Sequence, residues 1–278
     1  MSEALLQVRD VGKSFGGVKA VDGISFDLAA GEVLAMIGPN GAGKTTTFNM
    51  VNGQLRADRG LVTFNGVSLA GQTPRAIWRL GVGRTFQIAE TFASLTVVEN
   101  VQMALMSQGG QLMRMWRRAA AYQRAEALSL LEQVGMAAQA DRACSELAYG
   151  DVKRVELAMA MAHAPKLLLM DEPTAGMAPA ERHALMALTR QLVKDRDMAV
   201  LFTEHSMDVV FAYADRVIVL ARGRLIAQGT PQEIRNHPTV QEVYLGSGKT
   251  FEKRAAQTTV TIETAAQAAP IPPGSKTE

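Results

Sequence analysis

The chain has 278 residues, 47% of them apolar and 20% charged. This is the balance of a water-soluble globular protein with room for one large α/β domain or two small ones. The 29 basic and 27 acidic residues leave a net charge of +2, so no nucleic-acid partner is expected. The single cysteine, Cys144, excludes an intrachain disulfide and fits a reducing compartment, as a small buried or surface thiol. Residues 1–30 carry Glu3, Arg9 and Asp10 where a secretory signal needs an apolar core, and no uncharged apolar run is long enough to span a bilayer. The expectation is a chain soluble by itself, with any membrane crossing done by another subunit.

Residues Leu5 to Val8 read as a strand, Gly12 to Gly17 as a turn, and Val18 to Leu28 as strand material interrupted at Asp22-Gly23. Glu32 to Ile37 is a short buried strand. It delivers Gly38-Pro39-Asn40-Gly41-Ala42-Gly43-Lys44-Thr45, which matches the phosphate-loop pattern G-x-x-x-x-G-K-[ST] at every fixed position. A helix follows from Lys44 to about Asn52, with Gly53 at its C-terminal cap. The strand–loop–helix context is what the motif needs. Glycines let backbone N–H groups turn inward around phosphate oxygens at a helix N-terminus. Lys44 adds a charge for the β- and γ-phosphates, and the Thr45 hydroxyl can ligate Mg²⁺.

Leu61 to Phe64, ended by Asn65-Gly66, is a further strand. With the first two it suggests a small antiparallel sheet beside the main one. Pro74 to Leu80 fits a short helix, and Val82 to Gln87 a strand leaving the core. From about 89 to 164 the pattern is mostly helical, with helices over Val97–Met106, over Arg124–Val134 and from Gly150 onward. Between the first two, Leu112 to Arg118 mixes basic and apolar residues around Trp116. It reads as a surface helix with a partly buried Trp or as a contact surface for a partner. Lys166 to Met170 is a buried parallel strand running into Asp171-Glu172-Pro173. Ala180 to Arg196 is an amphipathic helix with Leu185, Leu188 and Leu192 inward. Then come a strand over Ala199–Phe202, a helix over Met207–Tyr213, a strand over Arg216–Leu220 and a hairpin turn at Arg222-Gly223-Arg224 into Leu225–Ala227. A short helix spans Pro231–Asn236. Residues 247–278 show no period and read as a weakly ordered tail. The run Gly246 to Thr250 imitates a phosphate loop, but Val243 stands where its first glycine belongs.

Phosphoryl transfer needs a carboxylate for the metal and a base or positioning group for water. Asp171 and Glu172 follow an apolar strand, the place where an open α/β sheet presents its site residues, and Gln87 and His205 also stand at strand ends. Alone, Asp171-Glu172 could be an acidic helix cap, Phe15 a core aromatic and Gln87 a surface amide.

Taken together, these residues resemble the nucleotide-binding subunit of ATP-binding cassette (ABC) transporters, over about residues 4–246 and in the right order throughout. The resemblance implies a P-loop NTPase core with a RecA-like α/β sheet, an antiparallel β subdomain, and an inserted α-helical subdomain at about 89–164. It places Phe15 against adenine, makes Gly38 to Thr46 the Walker A loop, and matches Gln87 to the Q-loop glutamine. Leu168 to Asp171 becomes Walker B, with Glu172 as catalytic carboxylate and His205 as switch histidine. Glu172, His205 and Gln87 are the implied catalytic residues, and Thr45, Gln87 and Asp171 the implied Mg²⁺ ligands. Leu147 to Asp151 occupies the signature position, where Ala148, Tyr149 and Gly150 are expected to meet ATP held by a second subunit. The sequence departs from the family there, with Ala148 and Tyr149 for Ser and Gly and Asp151 for Gln, and again at Ala178, where the family often has Asp or Asn.

Tyr149-Gly150, Asp171 to Met177, and the ending Glu242 to Gly246 are similar to the branch that powers import of branched-chain and other hydrophobic amino acids. This implies ATP and Mg²⁺ as cofactors. The implied partners are a second ATP-binding subunit, transmembrane permease subunits and, indirectly, a solute-binding protein. The implied location is the cytoplasmic face of the plasma membrane. The alternatives are the ATPase of a lipid or lipopolysaccharide exporter and a soluble ABC protein acting on ribosomes or DNA.

Overall fold

The computed structural model describes residues 4–85, 91–108 and 123–245. The expected Q-loop residue Gln87, the Leu112–Arg118 stretch and the 247–278 tail lie outside the described residues. The chain opens with β1 (Leu6–Phe15) and β2 (Val18–Leu28), an antiparallel hairpin. The first strand runs further than the sequence suggests, because only Gly16-Gly17 turns. Both take positive φ, 51° and 87°, the geometry of a two-residue hairpin whose twist matches its strands. Register shifts between Val8 and Val11 absorb the apparent break before it.

Next come β3 (Val33–Ile37), α1 (Lys44–Val51), β4 (Arg59–Phe64), β5 (Val67–Ser68), α2 (Pro74–Arg79) and β6 (Val82–Thr85). The helical stretch contributes α3 (Val97–Gln108), α4 (Arg124–Gln133) and α5 (Tyr149–Met161). It is followed by β7 (Leu167–Asp171), α6 (Pro179–Arg196), β8 (Ala199–Thr203), α7 (Met207–Tyr213), β9 (Arg216–Ala221), β10 (Arg224–Gly229), α8 (Pro231–Arg235) and α9 (Pro238–Leu245). Among the described residues the strands form two sheets. The smaller, ordered β2-β1-β4-β5, is antiparallel. The larger is ordered β10-β9-β3-β8-β7-β6 and is parallel except for its β10 edge. β6 does not leave the core; it pairs with β7 from Val82↔Leu167 to Thr85↔Met170.

The parallel strands are buried on both faces, which is why they read as continuous apolar runs. Alternation assigns the faces. Ala35, Leu168, Met170, Val200 and Phe202 join one core with α3, α4, α5 and α6, whereas Leu34, Met36, Leu167, Leu169 and Leu201 join a second with α1 and the small sheet. In α6, Leu185 and Leu192 are buried as expected and Leu188 packs half-buried against the same core. Met186 and Val193 widen the inward face. Cys144 is buried, accepts a hydrogen bond from Asn100 Nδ2 at 3.2 Å, and burial raises its pKa. No described helix is long and apolar enough to cross a membrane.

Behind α5, His163 packs its ring 4.6 Å from the ring of Trp78 on α2. Burial lowers the His163 pKa to about 4, partly offset by hydrogen bonds to the Val82 and Ala160 backbone. The folded chain therefore binds fewer protons than the unfolded chain between the ordinary value of 6.5 and about 4. Stability is full above that window and is lost as pH falls through it. The ring is only half-buried, so about 1–2 kcal/mol is expected rather than the full shift. Melting temperatures between pH 7 and pH 4.5 should fall less in His163→Phe than in the native chain. Parallel pH profiles would remove His163 as the cause.

Candidate functional site

The site forms where β3, β7 and β8 end, at the carboxyl edge of the larger sheet. β3 delivers the phosphate loop. Gly43 is the N-cap of α1 at φ 102°, and a Cβ there would lie 2.6 Å from the Ala20 carbonyl, so only glycine fits. The loop is braced from the β9–β10 turn, where Gly223 N–H donates to Ala42 O at 3.1 Å. Lys44 is 7% exposed and folds back on the loop, donating to Gly38 O at 2.7 Å and Pro39 O at 3.4 Å. Burial lowers its pKa, against the opposing pull of Glu172 and Asp171. Asn40, Gly41 and Thr45 are exposed, Pro39 and Thr46 half-buried.

β7 ends in Asp171, which is buried, and Thr203 at the end of β8 donates its hydroxyl to Asp171 Oδ1 at 2.7 Å. The next residue, Glu172, takes φ 49°, a left-handed conformation costly for a residue with a Cβ. Thr203 fixes it there, because Glu172 N–H reaches both Thr203 O (3.2 Å) and Thr203 Oγ1 (3.0 Å). The turn aims Glu172 Oε1 at His205 Nε2, 2.8 Å away. A single chain thus brings together Lys44, Asp171, Glu172 and His205. Phe15 stands on the separate β1–β2 hairpin, 50% exposed, with Lys13 Nζ 5.7 Å from its ring centroid.

Ala148, Tyr149 and Gly150 open α5. Ala148 is the N-cap and offers no side-chain acceptor; Tyr149 is 43% exposed. Gly150 is buried against the entry of α6: a Cβ there would lie 3.1 Å from Glu181 Oε1 and 3.5 Å from Met177 Cε. At Ala178 the α6 cap is half made. Glu181 Oε2 accepts the Ala178 N–H at 3.1 Å, but alanine has nothing to return.

Three side chains that the sequence reading did not single out organise the site. Buried Glu204 accepts Thr174 N–H (2.9 Å), Thr174 Oγ1 (2.6 Å) and His205 N–H (3.1 Å). It therefore ties the loop after Glu172 to the loop carrying His205. Arg182 donates to Met177 O (2.7 Å) and Ser206 Oγ (3.0 Å), a second tie between the same loops. Tyr244 on α9 packs against the core and hydrogen-bonds the backbone of Gly38, while burial raises its pKa. The only sequence signal for these is position. Glu204 and Tyr244 stand beside motifs, but nothing local marks their partners.

The donors match the group the loop implies. Thr45 offers a hydroxyl and Asp171 a carboxylate, hard oxygens of the kind Mg²⁺ accepts alongside phosphate and water. Glu172 can take a proton from water, and His205 can hold the carboxylate in place.

Residues 21–175 match the family described as ABC transporter, and residues 224–250 match one described as branched-chain amino acid ATP-binding cassette transporter. The chain is 40% identical over 253 residues to the high-affinity branched-chain amino acid transport ATP-binding protein LivG of Salmonella typhimurium, covering 88% of this chain and 99% of LivG. It is 37% identical over 253 residues to the high-affinity branched-chain amino acid transport ATP-binding protein BraF of Pseudomonas aeruginosa, with the same 88% and 99% coverage. A crystal structure of an ATP-binding cassette of an ABC transporter in its ADP conformation gives a TM-score of 0.80 at 32% identity, over 88% of this chain and 100% of that one. A nucleotide-free cassette from an ABC transporter gives 0.78, also at 32% identity, over 87% and 99%. With a family match across more than half its length and relatives matched nearly end to end, the chain belongs to the ABC transporter family.

Proposed function

We propose that the chain is the ATP-binding and ATP-hydrolysing subunit of an importer for branched-chain or other hydrophobic amino acids, with Mg²⁺ as its metal. The observation that carries the reading is the meeting of Lys44, Asp171, Glu172 and His205 beside an intact phosphate loop. The names of the relatives and the match at 224–250 favour amino-acid import over lipopolysaccharide export.

In this reading the loop amides from Gly38 to Thr46 and the Lys44 ammonium bind the phosphates, and Phe15 stacks on the base. Thr45, Asp171 and Gln87 would hold Mg²⁺, which would supply positive charge against the charge that develops on the phosphates. Glu172 orients and deprotonates the attacking water, and His205 keeps its carboxylate pointed at the γ-phosphate side. Ala148, Tyr149 and Gly150 complete the site of a second ATP-binding subunit. Permease subunits carry the amino acid across the membrane and hold this chain at its cytoplasmic face, and a solute-binding protein feeds them. Domain boundaries at 4–246, with the helical subdomain near 89–164, belong to the same proposal.

The complex purified through this chain should contain permease subunits. In proteoliposomes it should hydrolyse ATP only with Mg²⁺, and faster when a binding protein loaded with leucine, isoleucine or valine is present. Stimulation by lipopolysaccharide instead would replace the importer reading, and a complex without permeases would end it.

A further inference from the structure

Arg84, on the edge strand β6, lies between the two halves of the site. Its guanidinium Nη1 donates to Asn49 Oδ1 at 2.9 Å and Gln54 Oε1 at 2.8 Å, and its Nη2 is 3.6 Å from Asp171 Oδ2. Asn49 belongs to α1, the helix that begins with Lys44 and Thr45, and Gln54 to the loop just beyond it. The side chains of Arg84 and Asp171 are 11% and 13% exposed, so the pair is little screened by water. Thr203 takes the other Asp171 oxygen, Oδ1. Among the described residues, Lys44 and Arg84 therefore set positive charge against the carboxylates of Asp171 and Glu172.

We propose that Arg84 is a positioning residue that stands in for the metal: it holds Asp171 while the cation site is empty and gives way when Mg²⁺ arrives with nucleotide. This rests on the reading of Asp171 as a Mg²⁺ ligand. A dication on the Asp171 carboxylate and a guanidinium on the same group repel one another, and a partly buried setting strengthens that repulsion. The positive charge of Arg84 thus raises the free energy of the loaded site while lowering that of the empty one. Its neutral amide partners keep a seat for it once Asp171 is taken. The arrangement also gives metal loading a route out of the site. Arg84 lines a cleft of about 460 Å³ together with Gln54, Trp78, Glu156 and His163, so displacement of its head group changes the polar wall of that cleft.

The test separates charge from scaffolding. The dissociation constant of a fluorescent, non-hydrolysable ATP analogue is measured with Mg²⁺ and with EDTA, and the ratio of the two is the Mg²⁺ preference. Arg84→Gln keeps a hydrogen-bonding N–H head group and drops the charge, and Arg84→Met drops both. Each should raise the Mg²⁺ preference at least about tenfold; a fixed like charge a few ångströms away in a site of intermediate polarity would cost more, and the retreat of Arg84 onto its amide partners relieves part of it. Arg84→Lys, which keeps the charge, should stay within about twofold of the native chain. Nucleotide-free melting temperatures should drop for Gln and Met, because Asp171 loses its counter-charge. If the neutral variants melt lower yet keep the native Mg²⁺ preference, Arg84 is a scaffold and the proposal is overturned. Should Arg84→Met not fold, Arg84→Gln against Arg84→Lys decides alone. Asp171→Asn is the control on the underlying reading. It should collapse the Mg²⁺ preference, and an unchanged preference there would remove Asp171 as the ligand and this proposal with it.

Discussion

Lys44→Ala should cut ATP hydrolysis by at least about 10²–10³-fold, the typical loss when one hydrogen-bond donor to a reacting oxyanion is removed. The geometry explains why so much rests on one amine. Lys44 is buried at the first turn of α1 and holds its ammonium against the Gly38 and Pro39 carbonyls. Burial works against its charge, while Asp171 and Glu172 work for it. Nucleotide phosphates would offer the same ammonium better acceptors in the same cradle, so in the proposed reading the cost of burying it is offset only when ligand is bound. Removing it should therefore cost the empty protein little. Two hydrogen bonds worth about 1 kcal/mol each disappear, and the burial of a charge disappears with them. The expected pattern is a nearly native melting temperature without nucleotide and loss of most of the rise that ATP or ADP produces in the native chain. Native-like hydrolysis in Lys44→Ala would remove the phosphate loop from the site.

The parts of the site that were legible in the sequence are those in which chemistry is written locally. The phosphate loop is one segment between a strand and a helix, and Asp171-Glu172 follows a run of four apolar residues, Leu167 to Met170, that reads as a buried strand. What stayed hidden is pairing across distance. Thr203 directly follows the strand expected over Ala199–Phe202, but nothing in the sequence marks it as the group that fixes the left-handed turn at Glu172, 31 residues away. The carboxylate of Glu204 looks like a surface charge until Thr174 is beside it. Arg84 was visible only as a neighbour of Gln87, since its partners Asn49, Gln54 and Asp171 come from three other places in the chain. The same holds for the fold. Continuous apolar runs announced the large sheet, but the β6–β7 pairing and the long β1–β2 hairpin depend on edge position and on a bulge. Neither leaves a periodic trace.

Glu172→Gln should separate hydrolysis from assembly. The amide keeps the size of the side chain and can still hydrogen-bond His205 Nε2, which lies 2.8 Å from Glu172 Oε1 in the native chain. It cannot accept a proton from water, so hydrolysis should fall by the 10²–10⁴-fold typical of a lost general base. The phosphate loop is untouched, and ATP should bind as before. If the ATP of one chain is completed by the Ala148–Gly150 segment of another, bound ATP is a ligand of the dimer and favours it by mass action. Sedimentation of Glu172→Gln should then shift toward dimer with ATP and Mg²⁺ but not with ADP. The obvious variant for testing the signature, a charge at Gly150, is a poor choice, because Glu181 and Met177 of the same chain already fill the space around it. Tyr149 is better. It is exposed at the first position of α5, where a carboxylate suits the helix dipole and leaves the single chain at least as stable. In Tyr149→Glu that carboxylate would face the γ-phosphate of the opposing subunit. Combined with Glu172→Gln it should abolish the ATP-dependent dimer and spare ATP binding by the single chain. A dimer that forms equally well in the double variant would mean that residues 148–150 meet no phosphate, and that the two ATP sites are not shared between subunits.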